Sequence, residues 1–498
     1  MLIKLSPRGI RNPKRCLRAI TMTTEFRAEM TAYAQNLDTS EQDLLRTRGG
    51  SFRGVDRLRH DTKAQHADVV VVGAGLAGLS TALSLLEKRP SLNVVVLEKS
   101  EVASNCSGRN GGFVHTGFAA GEDGLIQAAG AENARALFDL TKQGMDTVRR
   151  RINEVDSRAI GAYGMLTCDW FGEDLAEELD ELNEVLDAGF RLLSPEEREV
   201  LVSSPKYNGG AVWDESAFSL NPLKYSLVML RLLKQATVYE HTEVQEVRRK
   251  NGSFQVIVQS EGSVESATIE AGQVVLARGP WDTSLRVRTY MMCSDPMPRE
   301  LLRQHLRTGA CVTDTRFACD YYRVIDEQGY PVDMSKEADD LVQLLWGGRC
   351  DASLWSLSQN EIAPALLKDA QKVLPVSMQA QSAWAGTMAY APHRMPVVGC
   401  KDGVWMCTAF GGHGMSTTAA CADLLAEGVI ASIENQPLPA NLRLFAPFLA
   451  DKSWWENVLP QEAACALAYS LLKFQDQCHE RLGLRADFVG SAARVFVH

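Results

Sequence analysis

The sequence predicts a chain of the α/β class, built around a mixed sheet with helices packed against it. Three stretches indicate this class. Asp68–Lys99 has the pattern of an apolar strand, a glycine-rich turn, an amphipathic helix and a second apolar strand. Residues 239–277 have the pattern of a hairpin followed by further strands, and residues 404–425 that of a strand entering a helix through glycines. Strands alternating with helices are typical of a largely parallel sheet.

The first stretch has the arrangement of a dinucleotide-binding turn. Gly73, Gly75 and Gly78 form G-x-G-x-x-G directly after the strand Val69–Val72, and Glu98 ends the second strand. Gly73 permits a tight turn, Gly75 lets a pyrophosphate approach the backbone, and Gly78 lets the helix pack on the sheet. A carboxylate at Glu98 suits ribose hydroxyls. The spacing therefore predicts a nucleotide site.

The helix after this turn is expected to bind phosphate and not to cross a membrane. Its first residues, Leu76 and Ala77, offer unpaired N–H groups and the positive end of the helix dipole. Val69–Leu86 carries no charge over a length that approaches a membrane span. The β-branched, glycine-broken front half instead indicates a buried parallel strand, so we predict no membrane span.

Composition limits the classes of partner. The chain has 498 residues, 45% of them hydrophobic, and we expect two domains with sizeable cores. A net charge of −10 argues against nucleic acid as the main partner. The 12 Cys form no CxxC pair and no metal-binding spacing, so we expect reduced thiols, no structural disulfide and no bound metal.

The N-terminal segment is basic. Met1–Thr24 contains Lys and Arg but no acidic residue, which is typical of an organellar transit peptide. A disordered arm before a start at Met22 or Met30 fits the same composition. We expect a cytoplasmic protein, or a mitochondrial or other organellar one if Met1–Thr24 is a transit peptide. The nucleotide fold is expected to begin near residue 67, after an extension over residues 1–66.

A second glycine-containing cluster follows Glu98. Ser104–His115 reads SNCSGRNGGFVH, in which Arg109 and Asn110 precede Gly111–Gly112. A polar surface loop fits this composition. A loop leaving the second strand of a parallel sheet also lies at the carboxyl edge, where ligands bind. The second interpretation predicts that the loop N–H groups and the Arg109 guanidinium face a bound cofactor.

A hairpin is predicted further along the chain. Glu243–Arg249 and Ser253–Val258 have strand patterns and are joined by an Asn251–Gly252 turn. Ser263–Glu270 is expected to add a third strand. Gln273–Ala277 is expected to return to the parallel sheet as a separate strand.

Together with AFGGHGMS at residues 409–416, these motifs resemble the FAD-dependent amino-acid/amine oxidase family, which includes D-amino-acid oxidase, glycine oxidase and sarcosine oxidase. SGRNGG is most similar to the γ-glutamylputrescine oxidoreductase-like branch. The resemblance covers about residues 67–480. It implies FAD and a Rossmann-like FAD-binding domain with a mixed sheet, interleaved with an α+β substrate domain built on an antiparallel sheet. The expected ranges are 67–160, 208–285 and 384–435 for the FAD-binding domain, 161–207 and 286–383 for the substrate domain, and 436–498 for a tail with a helix packed on the body.

The resemblance also implies which residues bind FAD. It places the adenine at Val244, where an ordinary core valine would fit equally. The chain departs from the family at Lys99 and Ser100, where Arg often follows the ribose-binding acid, and at Arg278, where a small residue usually precedes Gly279. The expected FAD-binding residues are Gly73, Gly75, Leu76, Ala77, Gly78, Glu98, Lys99, Ser107, Arg109, Asn110, Gly111, Gly112, Val244, Gly279, Gly411, Gly412, Gly414 and Met415.

A tyrosine–arginine pair is expected to contact the substrate. In a strand over Phe317–Val324, a period of two places Tyr321 and Arg323 on one face and Tyr322 on the other. A surface arginine beside a packing tyrosine is the alternative. The resemblance implies that this strand lines the pocket, where a bidentate guanidinium suits a substrate carboxylate. An Arg323→Met variant would then raise KM while the FAD content stays unchanged.

The last motif supplies a third glycine turn. The strand Val404–Thr408 leads through Gly411, Gly412 and Gly414 into a helix that starts at Met415. The start of this helix offers N–H donors and a positive dipole end, which would stabilise negative charge on a reduced flavin. His413 lies inside the turn, and we expect it to act in the site.

These features predict an FAD-dependent oxidoreductase that oxidises the C–N bond of an amine or amino acid. Hydride would leave the carbon beside the amine, and water would hydrolyse the resulting imine. The expected catalytic residues are Tyr321, Arg323 and His413, and the expected acceptor is dioxygen. A flavin-binding sensor or subunit without turnover, and a dehydrogenase using another acceptor, remain the alternatives. The oligomeric state stays open.

Overall fold

The computed structural model describes residues 65–154, 160–161, 163–261, 263–281, 285–351 and 357–449, together with Ser470, Phe474 and Asp476. The predicted N-terminal extension lies outside these residues except at its last two positions. The C-terminal helix of the tail, which the apolar pattern of residues 461–482 predicts, also lies outside them, except at the three single positions.

The described residues form both strands and helices. The strands to residue 239 are β1 (Gln65–Val72), β2 (Val94–Leu97), β3 (Phe113–Val114), β4 (Ile160–Gly161), β5 (Met165–Cys168), β6 (Arg191–Leu193), β7 (Ala211–Asp214), β8 (Phe218–Leu220) and β9 (Thr237–Tyr239). The later strands are β10 (Thr242–Lys250), β11 (Ser253–Ser260), β12 (Ser266–Leu276), β13 (Leu285–Ser294), β14 (Met297–Pro298), β15 (Cys311–Asp314), β16 (Tyr321–Ile325), β17 (Leu341–Asp351), β18 (Ala380–Tyr390), β19 (Val397–Lys401) and β20 (Val404–Thr408). The α-helices are α1 (Leu76–Lys88), α2 (Cys106–Arg109), α3 (Glu122–Ala129), α4 (Ala131–Asn153), α5 (Ala176–Leu186), α6 (Pro195–Leu201), α7 (Pro222–Leu232), α8 (Arg299–Arg303), α9 (Gln359–Val373) and α10 (Gly414–Ile433). Short 3-10 helices cover Gly279–Trp281 and Ala440–Leu449.

The first sheet is the predicted nucleotide-binding sheet. β1 is paired in parallel with β2 on one side and with β12 on the other, β2 with β9, and β12 with β20. Val69 and Val71 enter one hydrophobic cluster, whereas Val70 and Val72 enter another. Both faces of β1 are therefore covered, which explains its continuous apolar run.

β12 differs from the expectation of two separate strands. It is one continuous strand, in which Ser266–Ala271 pairs antiparallel with β11 on one edge and Ile269–Leu276 pairs parallel with β1 on the other. Gly272 follows the last residue paired with β11, and a Cβ atom there would be 2.9 Å from Asp68 O. Because glycine permits this close approach, β12 continues through the point where a break was predicted. The two-strand prediction was therefore wrong.

The second sheet is largely antiparallel, as expected for a substrate domain of this family. Its order is β18-β13-β17-β16-β15-β5-β7-β6, with β14 on β17 and a parallel pairing between β15 and β5. β7 and β18 belong to this sheet, although residues 208–285 and 384–435 are predicted for the FAD-binding domain. The division into domains stays a prediction.

The buried helix α10 lies between the two glycine-bearing helices α1 and α4. It is long and apolar enough to cross a membrane by length and composition, but most of its apolar window is buried. At the closest approach, a Cβ atom on Gly144 of α4 would lie 2.2 Å from Ser416 O. Packing against two helices accounts for the apolar composition of α10.

Candidate cofactor and substrate site

The first glycine turn has the geometry that its sequence predicts. Gly73 has a φ of +105°, and a Cβ atom on Gly78 would lie 1.8 Å from Gly73 O. The N–H of Leu76 donates to Ser107 Oγ at 2.9 Å. A Cβ atom on Gly75 would lie 2.7 Å from the same Oγ. The second loop is therefore held directly against the start of α1.

Glu98 is oriented by the backbone around the turn. Its Oε2 accepts from the N–H of Ala74 at 2.8 Å, and its Oε1 accepts from the N–H of Ser100 at 2.9 Å. Burial raises the pKa of the Glu98 carboxyl, and the two N–H donors act against this rise. Each oxygen keeps a second lone-pair direction for a hydroxyl donor. This arrangement suits recognition of a ribose.

The start of β10 lies beside Glu98. The N–H of Thr242 donates to Glu98 O at 2.8 Å, which places the start of β10 beside the end of β2. Val244 is half-buried, lies opposite Val258 and packs on the cluster that contains Val70. This packing accounts for a valine without a ligand, and the adenine contact of Val244 stays a prediction.

The loop at 105–112 begins with the single turn α2, and its side chains organise its own backbone. Asn110 donates from Nδ2 to Cys106 O and Ser107 O, and its Oδ1 accepts from the N–H of Gly112. Arg109 donates from Nη1 to Ala385 O at 3.0 Å, and Trp384 Nε1 donates to Arg109 O. The loop therefore joins the nucleotide turn to β18 of the second sheet.

Arg323 binds backbone carbonyl groups of the cofactor loop and of β8, and its contact with a substrate carboxylate stays a prediction. Its Nε donates to Gly111 O at 2.6 Å and its Nη2 to Leu220 O at 2.9 Å. The residue is 2% exposed, and its Nη1 is buried without a hydrogen-bond partner among the described residues. Burial lowers the pKa of Arg323 to about 10. The Nε–Nη2 edge of the guanidinium is thus already used on carbonyl oxygens, and Nη1 is the donor left for another acceptor.

Tyr321 contacts both the cofactor loop and the second sheet. Its hydroxyl is 2.8 Å from Thr289 Oγ1, while Cβ atoms on Gly111 and Gly347 would lie 3.3 and 2.1 Å from its ring. Tyr322 faces the other way and pairs with the Tyr207 hydroxyl at 3.0 Å. The strand predicted over Phe317–Val324 begins at Tyr321 in the structure, and the predicted alternation of its faces is confirmed. Burial raises the pKa of Tyr321, so its hydroxyl stays protonated.

The third glycine turn leads from β20 into α10, as predicted. Gly411 and Gly412 have φ values of +58° and +88°, and the N–H of Gly411 donates to Ala389 O. A Cβ atom on Gly411 would lie 2.5 Å from Ala119 Cβ. The helix begins at Gly414, and Met415 is buried in its first turn. The turn therefore requires glycine for both conformation and space.

His413 is packed against a second histidine, His115, which the sequence patterns did not indicate. Their ring centroids are 5.0 Å apart with an interplanar angle of 74°, and Nδ1 of His413 is buried without a hydrogen-bond partner among the described residues. Burial, and then His115, lower the pKa of His413 to about 3. Ser416 Oγ donates to His115 O at 2.6 Å. The only sequence signal for His115 was its place directly after GGFV.

Burial of His413 predicts a specific pH dependence of stability. Between its ordinary pKa of about 6.5 and its folded value of about 3, the unfolded chain binds a proton at this site and the folded chain does not. The free energy of unfolding should therefore fall as the pH decreases through this range. Thermal unfolding of wild type and His413→Asn between about pH 7.5 and 4.5 measures this effect.

The variant should lose less stability than wild type on acidification. His66, exposed at the start of β1, provides the control His66→Asn, which should follow wild type. Parallel pH profiles for wild type and His413→Asn would contradict the assignment.

The residues present fit FAD. Three glycine turns contact one another through their loops, and in each of them a Cβ atom would meet neighbouring atoms. Two of these turns lie at helix starts. Glu98 is oriented for a ribose, and the unpartnered Nδ1 of His413 lies at the start of α10. A helix start that suits phosphate and a carboxylate at the end of the second strand together define a dinucleotide site at the carboxyl edge of the first sheet. Fold and site thus define a dinucleotide-binding protein with a second sheet that closes on the cofactor loops.

Comparisons with known proteins identify the family. The model of the FAD dependent oxidoreductase family, DAO, matches residues 68–428. γ-Glutamylputrescine oxidoreductase of Escherichia coli is 25% identical over 409 residues, which cover 77% of this chain and 90% of that protein. The chain therefore belongs to the DAO family of FAD-dependent oxidoreductases, and the predicted family, enzyme class and cofactor are confirmed.

Solved structures show the same fold. L-amino acid deaminase from Proteus vulgaris superposes with a TM-score of 0.59 at 19% identity, over 81% of this chain and 99% of that one. Glycine oxidase from Geobacillus kaustophilus superposes with a TM-score of 0.56 at 18% identity, over 77% and 98%. The predicted fold class, a mixed α/β sheet combined with an antiparallel one, is confirmed.

Proposed function

We propose that the protein oxidises the C–N bond of an amine or amino acid, with dioxygen as the electron acceptor. The observation that carries this proposal is the contact of Tyr321, on the second sheet, with Gly111 of the cofactor loop. The contact is made by the Tyr321 ring, whose hydroxyl lies 2.8 Å from Thr289 Oγ1, and it supports a substrate-binding role for Tyr321 beside the proposed cofactor loop. The relatives named for a γ-glutamyl amine and for amino acids support the same class of substrate.

Tyr321 and His413 are half-buried and uncharged, and the buried guanidinium of Arg323 donates to Gly111 O next to the Tyr321 ring. Tyr321 keeps its proton because burial raises its pKa, and His413 is neutral because burial lowers its pKa. A desolvated site of this kind lowers the pKa of a bound amine and favours its neutral form. Loss of hydride from the adjacent carbon requires that neutral form, because the nitrogen lone pair must stabilise the iminium product.

Each proposed site group then has one task. The Tyr321 hydroxyl, held by Thr289, orients the amine through a hydrogen bond. The neutral ring of His413 presents Nδ1 at the start of α10 as a further hydrogen-bonding atom. FAD, when bound, supplies the two-electron acceptor. Exclusion of water by the buried groups delays hydrolysis until the imine leaves the site.

The Tyr321→Phe variant tests the proposed substrate contact. Removing the hydroxyl leaves the ring against Gly111, so FAD content should stay unchanged. We expect kcat/KM for the best amine to fall about tenfold, the effect of losing one orienting hydrogen bond. Steady-state kinetics and the ratio of flavin to protein absorbance measure the two effects.

Tyr322→Phe is the matched control, because its hydroxyl faces the opposite side of the same strand and bonds Tyr207. It should lower the melting temperature and leave kcat/KM near the wild-type value. Equal kinetic losses in both variants would remove Tyr321 from the site.

Anaerobic reduction of the bound flavin tests the reaction class. The purified protein is mixed without oxygen with γ-glutamyl-polyamines, N-methyl amino acids, glycine and D-amino acids, and bleaching of the flavin is followed. At least one compound should bleach it, and air should then restore the colour with release of hydrogen peroxide. No bleaching by any amine or amino acid would refute the proposal. Bleaching that only an artificial acceptor reverses would instead indicate a dehydrogenase.

A further inference from the structure

The two places where this chain departs from the family pattern lie on either side of the nucleotide turn. β1 lies between β12 and β2, and Val72 is in register with Leu276 on one side and with Leu97 on the other. Arg278 and Lys99 each follow two residues beyond those register partners. Two cationic residues therefore leave the carboxyl edge of the sheet on opposite sides of Gly73.

Arg278 is in direct contact with the turn. A Cβ atom on Gly73 would lie 2.4 Å from Ala277 O and 3.4 Å from the Cα of Arg278. The N–H of Ala277 also donates to Val72 O at 2.8 Å, which holds the chain before Arg278 against the end of β1. The backbone of Arg278 thus forms one wall of the turn that is built for a pyrophosphate.

Trp281 connects the two sides. It lies in the 3-10 helix after Arg278 and is 40% exposed, yet Lys99 Nζ from the β2 side lies 3.5 Å from the centroid of its ring. Arg286 Nε donates to Pro280 O at 2.8 Å and steadies this short helix. The indole therefore reaches the Lys99 side of the turn.

Charge accumulates at the same place. Partial burial lowers the pKa of Lys99. The carboxylates of Glu243 and Glu98 raise this pKa, whereas the guanidinium groups of Arg286 and Arg278 lower it. Both guanidinium groups are thus within electrostatic reach of Lys99. Cations gathered beside a phosphate-binding turn favour an anion bound there.

We propose that Lys99, Arg278 and Trp281 form an ADP rim, in which the two cations bind the diphosphate of FAD and the indole packs on its adenosine. This inference concerns the cofactor and goes beyond the proposed amine oxidation, on which it does not depend. The cation that the family often places shortly after the ribose-binding acid is supplied here from two strands. Lys99 and Arg278 therefore replace that cation together, and the two departures from the family pattern are linked.

ADP is the probe that tests the rim, because it lacks the flavin ring. The full-length chain, prepared free of flavin, is titrated with ADP by calorimetry at about 50 and 300 mM NaCl. The double variant Lys99→Met/Arg278→Leu should raise the Kd about tenfold or more at low salt and flatten its salt dependence. Trp281→Leu should raise the Kd about fivefold at both salt concentrations, because the indole carries no charge.

Two controls separate the rim from general damage. Arg278→Lys keeps the charge and should retain the wild-type salt dependence, whereas Lys250→Met removes an exposed cation at the far end of β10 and should change nothing. Every variant, saturated with FAD, should show the wild-type visible spectrum. Wild-type affinity and salt dependence in the double variant, or failure of the unsubstituted chain to bind ADP, would overturn the proposal. Since no substrate is present, failure of amine oxidation would leave this result unaffected.

Discussion

Replacing Gly78 with alanine should leave the protein unable to retain FAD. The new methyl group would lie 1.8 Å from Gly73 O, and this contact is with backbone and not with a side chain that can rotate away. Relief therefore requires α1 to move away from the turn, which removes the N–H of Leu76 from its place beside Ser107. We expect a loss of about 3 kcal/mol, close to a hundredfold weaker binding of FAD.

The ratio of flavin to protein absorbance after gel filtration measures the effect of Gly78→Ala. Gly124→Ala is the control, because its Cβ atom would meet only Ala120 Cβ at 3.3 Å and Arg394 Nη2 at 3.6 Å, both in side chains. That variant should retain FAD, since alanine is favoured over glycine within a helix. Full retention of FAD by Gly78→Ala would show that the helix does not need this close contact.

Arg323→Met should loosen the cofactor loop, with the second-largest expected effect. The substitution removes the donors that serve Gly111 O and Leu220 O and leaves both carbonyl groups without them. Hydrogen bonds to charged groups are worth about 1.5–3 kcal/mol each, so we expect stability to fall by about 3 kcal/mol and FAD content to fall with it. Denaturant unfolding and the flavin absorbance ratio measure the two quantities.

This expectation differs from the one that the sequence supports. A carboxylate-binding role predicts a higher KM for carboxylated substrates at unchanged FAD content, and that outcome would contradict the tethering role. Arg307→Met, which removes an exposed arginine from the same domain, should change neither quantity. Comparison of Arg323→Met with its control thereby distinguishes carboxylate binding from tethering of the cofactor loop.

Local patterns predicted the parts of the site that lie close together in sequence. Gly73, Gly75, Gly78 and Glu98 lie within one strand–helix–strand unit, so spacing alone defines their relative positions. The strand β20 and the start of α10 followed in the same way from an apolar run and a glycine turn. For such units, the residues that must meet are adjacent along the chain.

Contacts between residues distant in sequence could not be predicted from motif spacing. A period of two assigned Arg323 to the correct face, but its partners lie 212 and 103 residues away, at Gly111 and Leu220. His115 directly follows β3 and His413 directly precedes α10, and the two meet because α10 packs beside β3. Packing, and not local pattern, decides which groups these side chains meet.

The position of β12 has a consequence for how the chain folds during synthesis. β1 pairs at once with β2, but its other edge waits for β12, about two hundred residues later. Until the ribosome has passed Leu276, the edge of β1 is an unpaired apolar strand, and such edges promote aggregation. Arg278, which completes the nucleotide turn, emerges later still. Shielding by a chaperone should therefore matter most for nascent chains that end between β2 and β12, and FAD should rescue only longer ones.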